Sequence, residues 1–399
     1  MYSKRILILV ENLPVPMDRR VWMEATTLTE TGYQVSVICP KGKYPKFHEI
    51  LENIAIYRYP LPSFSGVFGH LLEYGIALLF TSILTWIVFF REGFDAIQSA
   101  NPPDLFFLIG GFFKLFGKKY IFDHHDLMPE ICDSRWKGWK HKLTYNLSIW
   151  AEKRTFKTAD RVISTNESYR EVAINRGRVN PDHVVVVRSG PSISNFKSVQ
   201  MNPELKKGKK YLVCYLGVMG ANDGLDYLLK SIDFIVNELK RMDVHYILMG
   251  SGDLLPQIKK MSTQLGLDDF IEFTGRIPDQ QVREIISTAD LCVAPDPKDA
   301  LNDVSTMNKI IEYMAIGKPI ICFDLKEAHV SAGEAAVYAK ANDIQDFAIK
   351  LIELLEHPEK RKIMGEFGRV RFENSLAWDY QKPKLINLYQ ELFEAIKSN

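Results

Sequence analysis

The chain has 399 residues, 46% of them hydrophobic and 25% charged, and its formal net charge is +1. This composition is typical of a folded globular protein, and the length predicts two domains of nearly 200 residues. A net charge so close to zero does not indicate a nucleic-acid partner. The five cysteines are scattered without a CxxC pair, which indicates buried thiols in a reducing compartment, and we expect no signal peptide.

Strands and helices alternate through the first half of the chain. The pattern predicts a buried strand at Arg5–Val10, an amphipathic helix at Asp18–Glu30 and a second strand at Gln34–Cys39. This order is a βαβ unit, which implies a parallel sheet with ligands at the carboxyl ends of its strands. The loop at residues 11–18 lacks the GxGxxG fingerprint, so we expect no dinucleotide there.

Two apolar segments follow. Gly75–Phe90 contains no charged residue, and a helix of that length reaches roughly 24 Å, less than the roughly 30 Å of a bilayer core. Leu105–Phe116 is again rich in aromatic residues and leads into Lys118 and Lys119. Basic residues beside apolar faces are typical of membrane-surface attachment. The pattern leaves open a buried helix, an interfacial helix and a spanning helix.

A strand predicted at Lys119–Asp123 runs directly into HHDLMPE, residues 124–130. A His-Asp pair at the carboxyl end of a parallel strand is where α/β proteins place chemistry, and histidine exchanges protons near neutral pH. The alternative is a structural histidine beside a helix-capping aspartate. The basic and aromatic stretch Trp136–Asp160 predicts a long helix, either solvated or facing a membrane or a pyrophosphate-bearing lipid.

The polar segment Ser189–Lys210 predicts a linker, after which the alternation restarts at Tyr211. Two such halves predict an α/β protein with two Rossmann-like β/α/β domains. We place the first domain at residues 1–195 and the second at residues 196–382. The loop GVMGANDG, residues 217–224, has three glycines that permit close backbone approach to a phosphate or sugar.

The stretch Asn302–Cys322 predicts a loop, a helix, a stop and a strand. The first backbone N–H groups of such a helix lack intrahelical partners and suit a diphosphate. Lys309 lies in the first turn and adds a full charge. Glu312 follows on the same face, where its carboxylate suits a pair of ribose hydroxyls. The alternative is an ordinary Ser-capped amphipathic helix with a surface Lys–Glu pair.

This last stretch resembles the donor-site segment of retaining glycosyltransferases of family four, and the resemblance extends over nearly the whole chain. It implies the GT-B fold, with the two domains facing a central cleft and a C-terminal helix of about 383–399 packing back on the first domain. Relatives usually carry two glutamates separated by seven residues. Glu312 matches the second, whereas Val304 stands at the first position, so Asp303 or Lys309 is expected to substitute.

Two further stretches are compared with the family. The phrase at residues 124–130 resembles its HD-x-x-P-E stretch, whose histidine lies near the transferred sugar; this implies His125, with Asp126 beside it. Relatives usually have an Arg and a Lys in the glycine-rich loop, where this chain has Val218 and Asp223. Phosphate binding is therefore expected to rest on Lys309 and the helix N-terminus.

The resemblance implies three sets of site residues. The catalytic set is His125, Asp126 and Lys309. The donor-binding set is Gly220, Asp223, Gly250, Gly275, Arg276, Ser305, Thr306, Met307, Asn308, Lys309 and Glu312. The acceptor-binding set is Asn12, Asp18, Arg19, Arg20 and His124.

The expected activity is transfer of a sugar, with retention, from a nucleotide diphosphate donor, a UDP- or GDP-sugar, to a polyprenyl-diphosphate-linked or glycan acceptor. The expected setting is biosynthesis of lipopolysaccharide, capsule or exopolysaccharide, with the protein peripheral on the cytoplasmic face of the membrane. No two aspartates are two residues apart, so the DxD motif is absent, and we expect neither a metal nor another cofactor. The alternatives are a catalytically idle GT-B scaffold and a nucleotide-sugar epimerase of the same fold.

Overall fold

The computed structural model describes residues 4–62, 64, 66–135 and 138–394. The described chain divides into two compact units: unit 1 ends at Arg188 and resumes at Gln381, and unit 2 runs from Ser189 to Tyr380. The sequence placed these boundaries at 195/196 and 382/383. Trp136, Lys137 and the last five residues of the expected C-terminal helix lie outside the described residues.

Unit 1 is built on an eight-stranded sheet in the order β3-β4-β2-β1-β5-β6-β7-β8. Every neighbouring pair is parallel except the edge pair of β3 and β4. The strands are β1 (Arg5–Leu9), β2 (Gln34–Pro40), β3 (His48–Leu51), β4 (Ile54–Tyr59), β5 (Ala96–Ala100), β6 (Lys119–His124), β7 (Arg161–Ser164) and β8 (Val184–Val186). The antiparallel edge strand β3 is absent from our sequence prediction because its residues show little apolar alternation.

The helices of unit 1 are α1 (Arg19–Glu30), α2 (Gly66–Arg91), α3 (Phe107–Lys114), α4 (Met128–Arg135), α5 (Trp139–Thr158) and α6 (Glu167–Asn175). The last helix, α14 (Trp378–Glu394), belongs to unit 1 from Gln381 onward. There Tyr389 and Phe393 pack on Tyr33, with ring centroids 5.8 and 6.0 Å from it.

Unit 2 has a six-stranded, fully parallel sheet in the order β11-β10-β9-β12-β13-β14. Its strands are β9 (Tyr211–Leu216), β10 (Val244–Met249), β11 (Ile271–Gly275), β12 (Leu291–Ala294), β13 (Ile320–Phe323) and β14 (Ala336–Ala339). Its helices are α7 (Leu225–Asp233), α8 (Leu255–Gln264), α9 (Asp279–Thr288), α10 (Asn308–Ile316), α11 (Lys326–Ala332), α12 (Ile344–Glu356) and α13 (Pro358–Arg371). Each unit is thus a Rossmann-like α/β layer structure.

Helix α2 is longer than the sequence predicted. It has 26 residues, which at 1.5 Å per residue is about 39 Å, so our argument that it is too short to span a bilayer is wrong. Its buried residues Ala77, Thr81, Thr85 and Val88 form one stripe, and most of the remaining surface is not buried. By length and composition, α2 is the one helix among the described residues that passes as a candidate span.

Candidate functional site

In unit 2, the loops after β9, β10 and β12 pack backbone against backbone. A Cβ on Gly250 would lie 1.8 Å from the carbonyl oxygen of Gly217, and one on Gly224 would lie 1.9 Å from that of Pro295. Both residues also have positive φ, +134° and +67°, so only glycine fits. Gly224 and Gly250 therefore have a packing role. They bring three loops together at the carboxyl ends of neighbouring strands, where parallel sheets bind ligands.

Lys309 extends from the first turn of α10 towards these loops. Its Nζ lies 2.6 Å from Oδ1 of Asp296 and 3.7 Å from Oδ1 of Asp223, and 4.9 Å from the centre of the Tyr215 ring. The side chain is 7% exposed. Burial acts to lower the pKa of Lys309, but the Asp296 carboxylate outweighs it and raises the pKa above its ordinary value. The structure therefore holds a charged ammonium group at the start of α10.

The start of α10 does not match the Ser-capped alternative. Met307 occupies the N-cap without a side-chain hydrogen bond to the helix, and the Ser305 hydroxyl donates instead to the carbonyl of Leu301, at 2.7 Å. Lys309 is buried against Asp296, which does not match the exposed Lys–Glu pair of that alternative. The amide groups of the first turn, which carry the positive end of the helix dipole, therefore lack that side-chain cap.

The other residues expected at the donor site lie nearby or have internal partners. Asp223 accepts a hydrogen bond from the Gly220 amide at 3.1 Å, which closes the glycine-rich loop. The Gly250 amide donates to the carbonyl of Gly275, at 3.0 Å. Arg276 and Asn308 are exposed, while Thr306 and Glu312 are half-buried. Their roles at a donor site stay predictions.

Asp303, one of the two candidates to replace the missing glutamate, is engaged elsewhere. Its Oδ1 accepts a hydrogen bond from the Lys326 amide at 2.9 Å and lies 3.3 Å from the Lys298 ammonium group. Lys326 begins α11, so this carboxylate contacts the start of a neighbouring helix. Of the two candidates, Lys309 is the one that the structure places among the glycine-rich loops.

In unit 1, His125 follows β6 and meets a buried group of charged side chains. The Arg20 guanidinium lies 3.0 Å from Oδ1 of Asp123 and 3.1 Å from Oε1 of Glu24. One ring nitrogen of His125, Nε2, lies 2.6 Å from Nε of Arg20 and 2.7 Å from Oδ2 of Asp123. Without a hydrogen, that nitrogen accepts from Arg20; with a hydrogen, it donates to Asp123. It cannot do both at once.

The two buried carboxyl groups of this cluster differ in the direction in which their pKa is shifted. Burial acts to raise the pKa of Asp123, but the charges of Arg20 and His125 outweigh it and hold the pKa well below its ordinary value. Burial and the negative charge of Asp123 raise the pKa of Glu24 well above its ordinary value. Asp123 is therefore ionised at neutral pH, and the pKa values of the two carboxyl groups are shifted in opposite directions.

The sequence analysis missed the polar residues that complete this cluster. The Gln98 amide donates to Oε2 of Glu24 at 2.6 Å and to Oδ2 of Asp123 at 3.1 Å. The Tyr389 hydroxyl, from α14, donates to Gln98 in turn. Gln98 and Asp123 each follow apolar residues within a strand, Ile97 in β5 and Phe122 in β6, which is a signal that the sequence offers. Nothing in the sequence links Tyr389 to them.

By spacing alone, Glu24, Asp123 and His125 form a group that could hold a metal ion, because their ligand atoms lie within 4.8 Å of one another. However, the Arg20 guanidinium already contacts both carboxylates. Its fixed charge takes the place that a cation would need, so these residues do not fit a metal ion well. Metal independence stays a prediction.

The residues expected at the acceptor differ in their exposure. Asn12 and Arg19 are exposed, and Asp18 caps α1 by accepting from the Val21 amide. Arg20 and His124 are buried, and the His124 ring packs between Phe156 and Tyr169, at centroid distances of 5.1 and 5.3 Å. Exposure favours Asn12 and Arg19 for direct contact with an acceptor, while Arg20 and His124 make internal contacts.

Asp126 is placed by its backbone. Its amide and that of His125 donate to Oδ1 of Asn101, at 3.0 and 2.6 Å, and the Asn101 amide donates to the Asp126 carbonyl at 2.7 Å. Asn101 follows β5, so the turn that carries His125 and Asp126 is fastened to the neighbouring strand.

Comparison with known proteins gives the family. Residues 17–193 match the family model described as Glycosyltransferase Family 4, and residues 210–357 match the model described as Glycosyl transferases group 1. The chain belongs to these group 1, family 4 glycosyltransferases.

Relatives of this glycosyltransferase are distant in sequence. A Methanocaldococcus jannaschii protein named as an uncharacterised glycosyltransferase is 23% identical over 378 residues, covering 92% of the chain and 91% of the relative. Sucrose-phosphate synthase from Thermosynechococcus elongatus superposes with a TM-score of 0.79 at 16% identity, over 98% of the chain and 100% of that structure.

Two further structures share the fold. Anabaena HepE, solved with UDP and glucose, has a TM-score of 0.68 at 13% identity over the whole of both chains. WaaG, described as a glycosyltransferase involved in lipopolysaccharide biosynthesis, has a TM-score of 0.72 at 15% identity, over 96% of the chain and 99% of WaaG. The structural neighbours are GT-B glycosyltransferases, and the expected GT-B fold is confirmed.

Proposed function

We propose that this protein is a retaining glycosyltransferase that takes a sugar from a nucleotide diphosphate donor. The observation that carries the proposal is the charged Lys309 at the start of α10, beside the packed glycine loops of β9, β10 and β12. A helix N-terminus with an adjacent ammonium group favours a diphosphate. The UDP found in Anabaena HepE supports a nucleotide donor of this class.

The chain's own residues supply the charge stabilisation that the reaction needs. In the proposed step, the bond between the anomeric carbon and the diphosphate oxygen breaks while the acceptor oxygen bonds to the same face of that carbon. The acceptor proton passes to the departing diphosphate. Lys309 and the first amides of α10 stabilise the negative charge that develops on this leaving group, without a metal ion. Asp296 fixes the position of the Lys309 ammonium group, and Glu312 binds the donor ribose.

The cluster around His125 is proposed to serve the sugar and acceptor side. Arg20 and Asp123 orient the His125 ring, and Asn101 fastens the turn that carries His125 and Asp126. Because these contacts fix the ring through its Nε2 atom, His125 can hydrogen-bond a hydroxyl of the transferred sugar at a defined position. Exposed Asn12 and Arg19 are proposed to contact the acceptor.

The apolar surface of unit 1 supports a lipid-linked acceptor at a membrane. Helices α2, α3 and α5 are neighbours, because Trp86 contacts Phe112 and Phe107 contacts Trp150 at ring distances of 5.7 and 5.9 Å. Large apolar side chains on all three are exposed: Leu72, Leu79, Ile83, Ile87 and Phe90 on α2, Leu108 and Phe112 on α3, and Leu143, Leu147 and Trp150 on α5. We call these ten residues the apolar surface. Exposed apolar side chains on three neighbouring helices are typical of membrane attachment.

We therefore place the protein on the cytoplasmic face of the membrane, acting on a polyprenyl-diphosphate-linked or saccharide acceptor of a surface polysaccharide. The description of the structural neighbour WaaG, as a glycosyltransferase involved in lipopolysaccharide biosynthesis, supports this setting. A peripheral position is favoured over a span because α2 connects β4 to β5, two strands of one sheet, and its buried stripe packs along that sheet.

A thermal-shift screen with UDP-, GDP-, ADP- and dTDP-sugars tests the donor, followed by incubation of the stabilising donor with membrane lipid extract. We expect one nucleotide class to raise the melting temperature and its sugar to enter the lipid fraction. Binding without turnover would instead indicate the idle scaffold. Conversion of the donor into another nucleotide sugar without any acceptor would indicate the epimerase.

A further inference from the structure

A cavity of about 110 Å³ lies in unit 1 among α2, α4, α5 and the turn before α3. Its walls include Val67, Leu71, Met128, Ile131, Leu147 and Ala151. An apolar cavity of about 150 Å³ holds a benzene molecule. The cavity in this chain therefore has room for roughly four or five carbon atoms.

The two hydroxyl groups that α5 contributes to the wall donate to carbonyl groups of their own helix. The Thr144 hydroxyl donates to the carbonyl of His141 at 3.2 Å, and the Ser148 hydroxyl donates to that of Tyr145 at 2.8 Å. Both bonds stay within α5 and leave the methyl and methylene groups of these residues for the wall. The α5 wall is apolar although it contains two hydroxyl residues.

One polar atom in the wall lacks a partner. Asp104 is 4% exposed, its Oδ1 accepts from the Asn101 amide at 2.9 Å, and its buried Oδ2 has no hydrogen-bond partner among the described residues. Burial, and then the charge of Glu152, raise the pKa of Asp104 well above its ordinary value. The unpartnered Oδ2 of Asp104 therefore leaves one hydrogen-bonding position at the cavity wall.

The cavity connects the predicted catalytic turn with the outer surface. On the inner side, Asn101 bonds both to Asp104 and to the backbone of His125 and Asp126. On the outer side, Leu71 and Leu147 line the cavity and are also exposed, by 37% and 41%. Leu147 belongs to the apolar surface, so the cavity wall continues into it.

We infer that this cavity binds the hydrocarbon chain of the acceptor lipid, taking its first carbon atoms beside the polar head, with the unpartnered Oδ2 of Asp104 as a hydrogen-bonding position for the head. The inference rests on the proposed function. It assigns an apolar site in unit 1 that would hold the acceptor next to His125 and would let its tail lie along the apolar surface.

Two serines give a matched test. Ser148 lines the cavity, whereas Ser134 on α4 is exposed, and each donates its hydroxyl to a carbonyl of its own helix three residues earlier. Ser148→Leu fills the cavity, and Ser134→Leu makes the same change outside it. Ala151→Leu fills the cavity from another position if Ser148→Leu does not fold, as judged from its melting curve.

The full chain is titrated with geranyl phosphate, a ten-carbon isoprenoid phosphate, and with inorganic phosphate as the reference. We expect geranyl phosphate to bind at least tenfold more weakly to Ser148→Leu than to the natural protein, and Ser134→Leu to bind within twofold. The inference would be overturned if the natural protein and the folded cavity-filling variant bound geranyl phosphate with equal affinity. It would also be overturned if the natural protein bound inorganic phosphate as tightly as geranyl phosphate.

Donor hydrolysis in the absence of acceptor separates this inference from the proposed function. If the inference holds, Ser148→Leu hydrolyses the donor normally and loses transfer to a lipid-linked acceptor through a raised KM. Normal transfer by Ser148→Leu would overturn the cavity assignment while leaving the proposed function standing. If no donor is hydrolysed or transferred but geranyl phosphate binding still responds to Ser148→Leu, the proposed function fails and the lipid site remains.

Discussion

Lys309 and Arg20 are buried cations, and each is held by carboxylates that are not apparent from the local sequence. Asp296 precedes Lys309 by 13 residues and lies beyond β12, and Asp123 follows Arg20 by 103 residues. Only Glu24, four residues after Arg20 on α1, was within reach of a helical-spacing argument. The sequence therefore predicts that Arg20 and Lys309 lie in the first turns of helices, but it does not predict which carboxylates hold them.

Replacing Lys309 tests its proposed contact with the diphosphate. Lys309→Met should lower the rate of transfer by about 10²-fold, as expected for a lost electrostatic contact in the transition state. It should also lower the free energy of unfolding by about 3 kcal/mol, because the buried Asp296 carboxylate loses its partner. Steady-state kinetics and urea unfolding measure the two effects.

The double variant Lys309→Met, Asp296→Asn separates stability from catalysis. Removing both charges should recover most of the lost stability, because neither ion is left buried alone. The rate of transfer should stay low. Recovery of the rate in this double variant would mean that Lys309 serves only the fold.

Glu312 is predicted to bind the donor ribose. Glu312→Gln should leave the melting temperature of the free protein unchanged and weaken nucleotide binding by about 1–3 kcal/mol, the contribution of a charge-assisted hydrogen bond. Isothermal titration with the nucleotide measures this effect. Glu366→Gln, an exposed position on α13, is the control, and equal affinities for the two variants would contradict the ribose assignment.

Glu11, in the loop after β1, should make the stability of unit 1 depend on pH. Burial, and then the charge of Glu73, raise its pKa from 4.5 to about 8. The folded protein therefore keeps a proton that the unfolded chain releases at lower pH, so this contribution is complete below about pH 4.5 and is lost as pH rises to about 8. Glu11→Gln keeps the neutral form at every pH.

Melting curves between pH 5 and pH 9 test the Glu11 prediction. Relative to the natural protein, Glu11→Gln should gain stability as pH rises, by about 4 kcal/mol over the window. Glu391→Gln, an exposed change on α14, should show no such trend. A difference between Glu11→Gln and the natural protein that stays constant with pH would be the contrary result.

At the level of elements, the sequence predicted the alternation well and the extent of α2 poorly. The bounds of β1, α1 and β2 agree with prediction to within one residue, because each has a clear apolar pattern with a turn on either side. The uncharged run 75–90 marks only the apolar part of α2, since its first turns contain His70 and Glu73. Helical hydrogen bonding continues through polar residues that a hydropathy argument excludes.

The exposed face of α2 should control membrane attachment. Leu79→Gln combined with Ile83→Gln removes two exposed apolar side chains, which costs roughly 1–2 kcal/mol each in transfer to a bilayer interface. Flotation with vesicles of anionic lipid should show at least tenfold weaker partitioning. The matched control replaces Ile363 and Val370, exposed on α13 of unit 2, with glutamine; a similar loss in both variants would argue against a specific surface.

Cysteine labels at the two ends of α2 distinguish surface attachment from a span. The labels are placed at Pro62, before the helix, and at Arg91, its last residue, both of which are exposed. Both should react only from the cytoplasmic side in intact cells. Labelling of one of them from outside would establish that α2 crosses the membrane.

At the level of the whole molecule, two runs of alternating strands and helices were enough to predict two Rossmann-like domains, because parallel strands need crossover helices. The resemblance to family four rested on only two short sequence motifs, at residues 124–130 and 302–322. The cluster of Gln98, Glu24 and Asp123, by contrast, is assembled from three separate elements. Long-range contacts of this kind depend on strand order and on α14, which local patterns do not specify.

The anomeric configuration of the product tests the central claim most directly. The purified protein is incubated with the donor that stabilises it and with a lipid-linked acceptor, and the new glycosidic bond is examined by proton NMR. The account predicts release of the nucleoside diphosphate and a product with the same anomeric configuration as the donor. An inverted configuration, or no sugar transfer from any nucleotide donor, would contradict it.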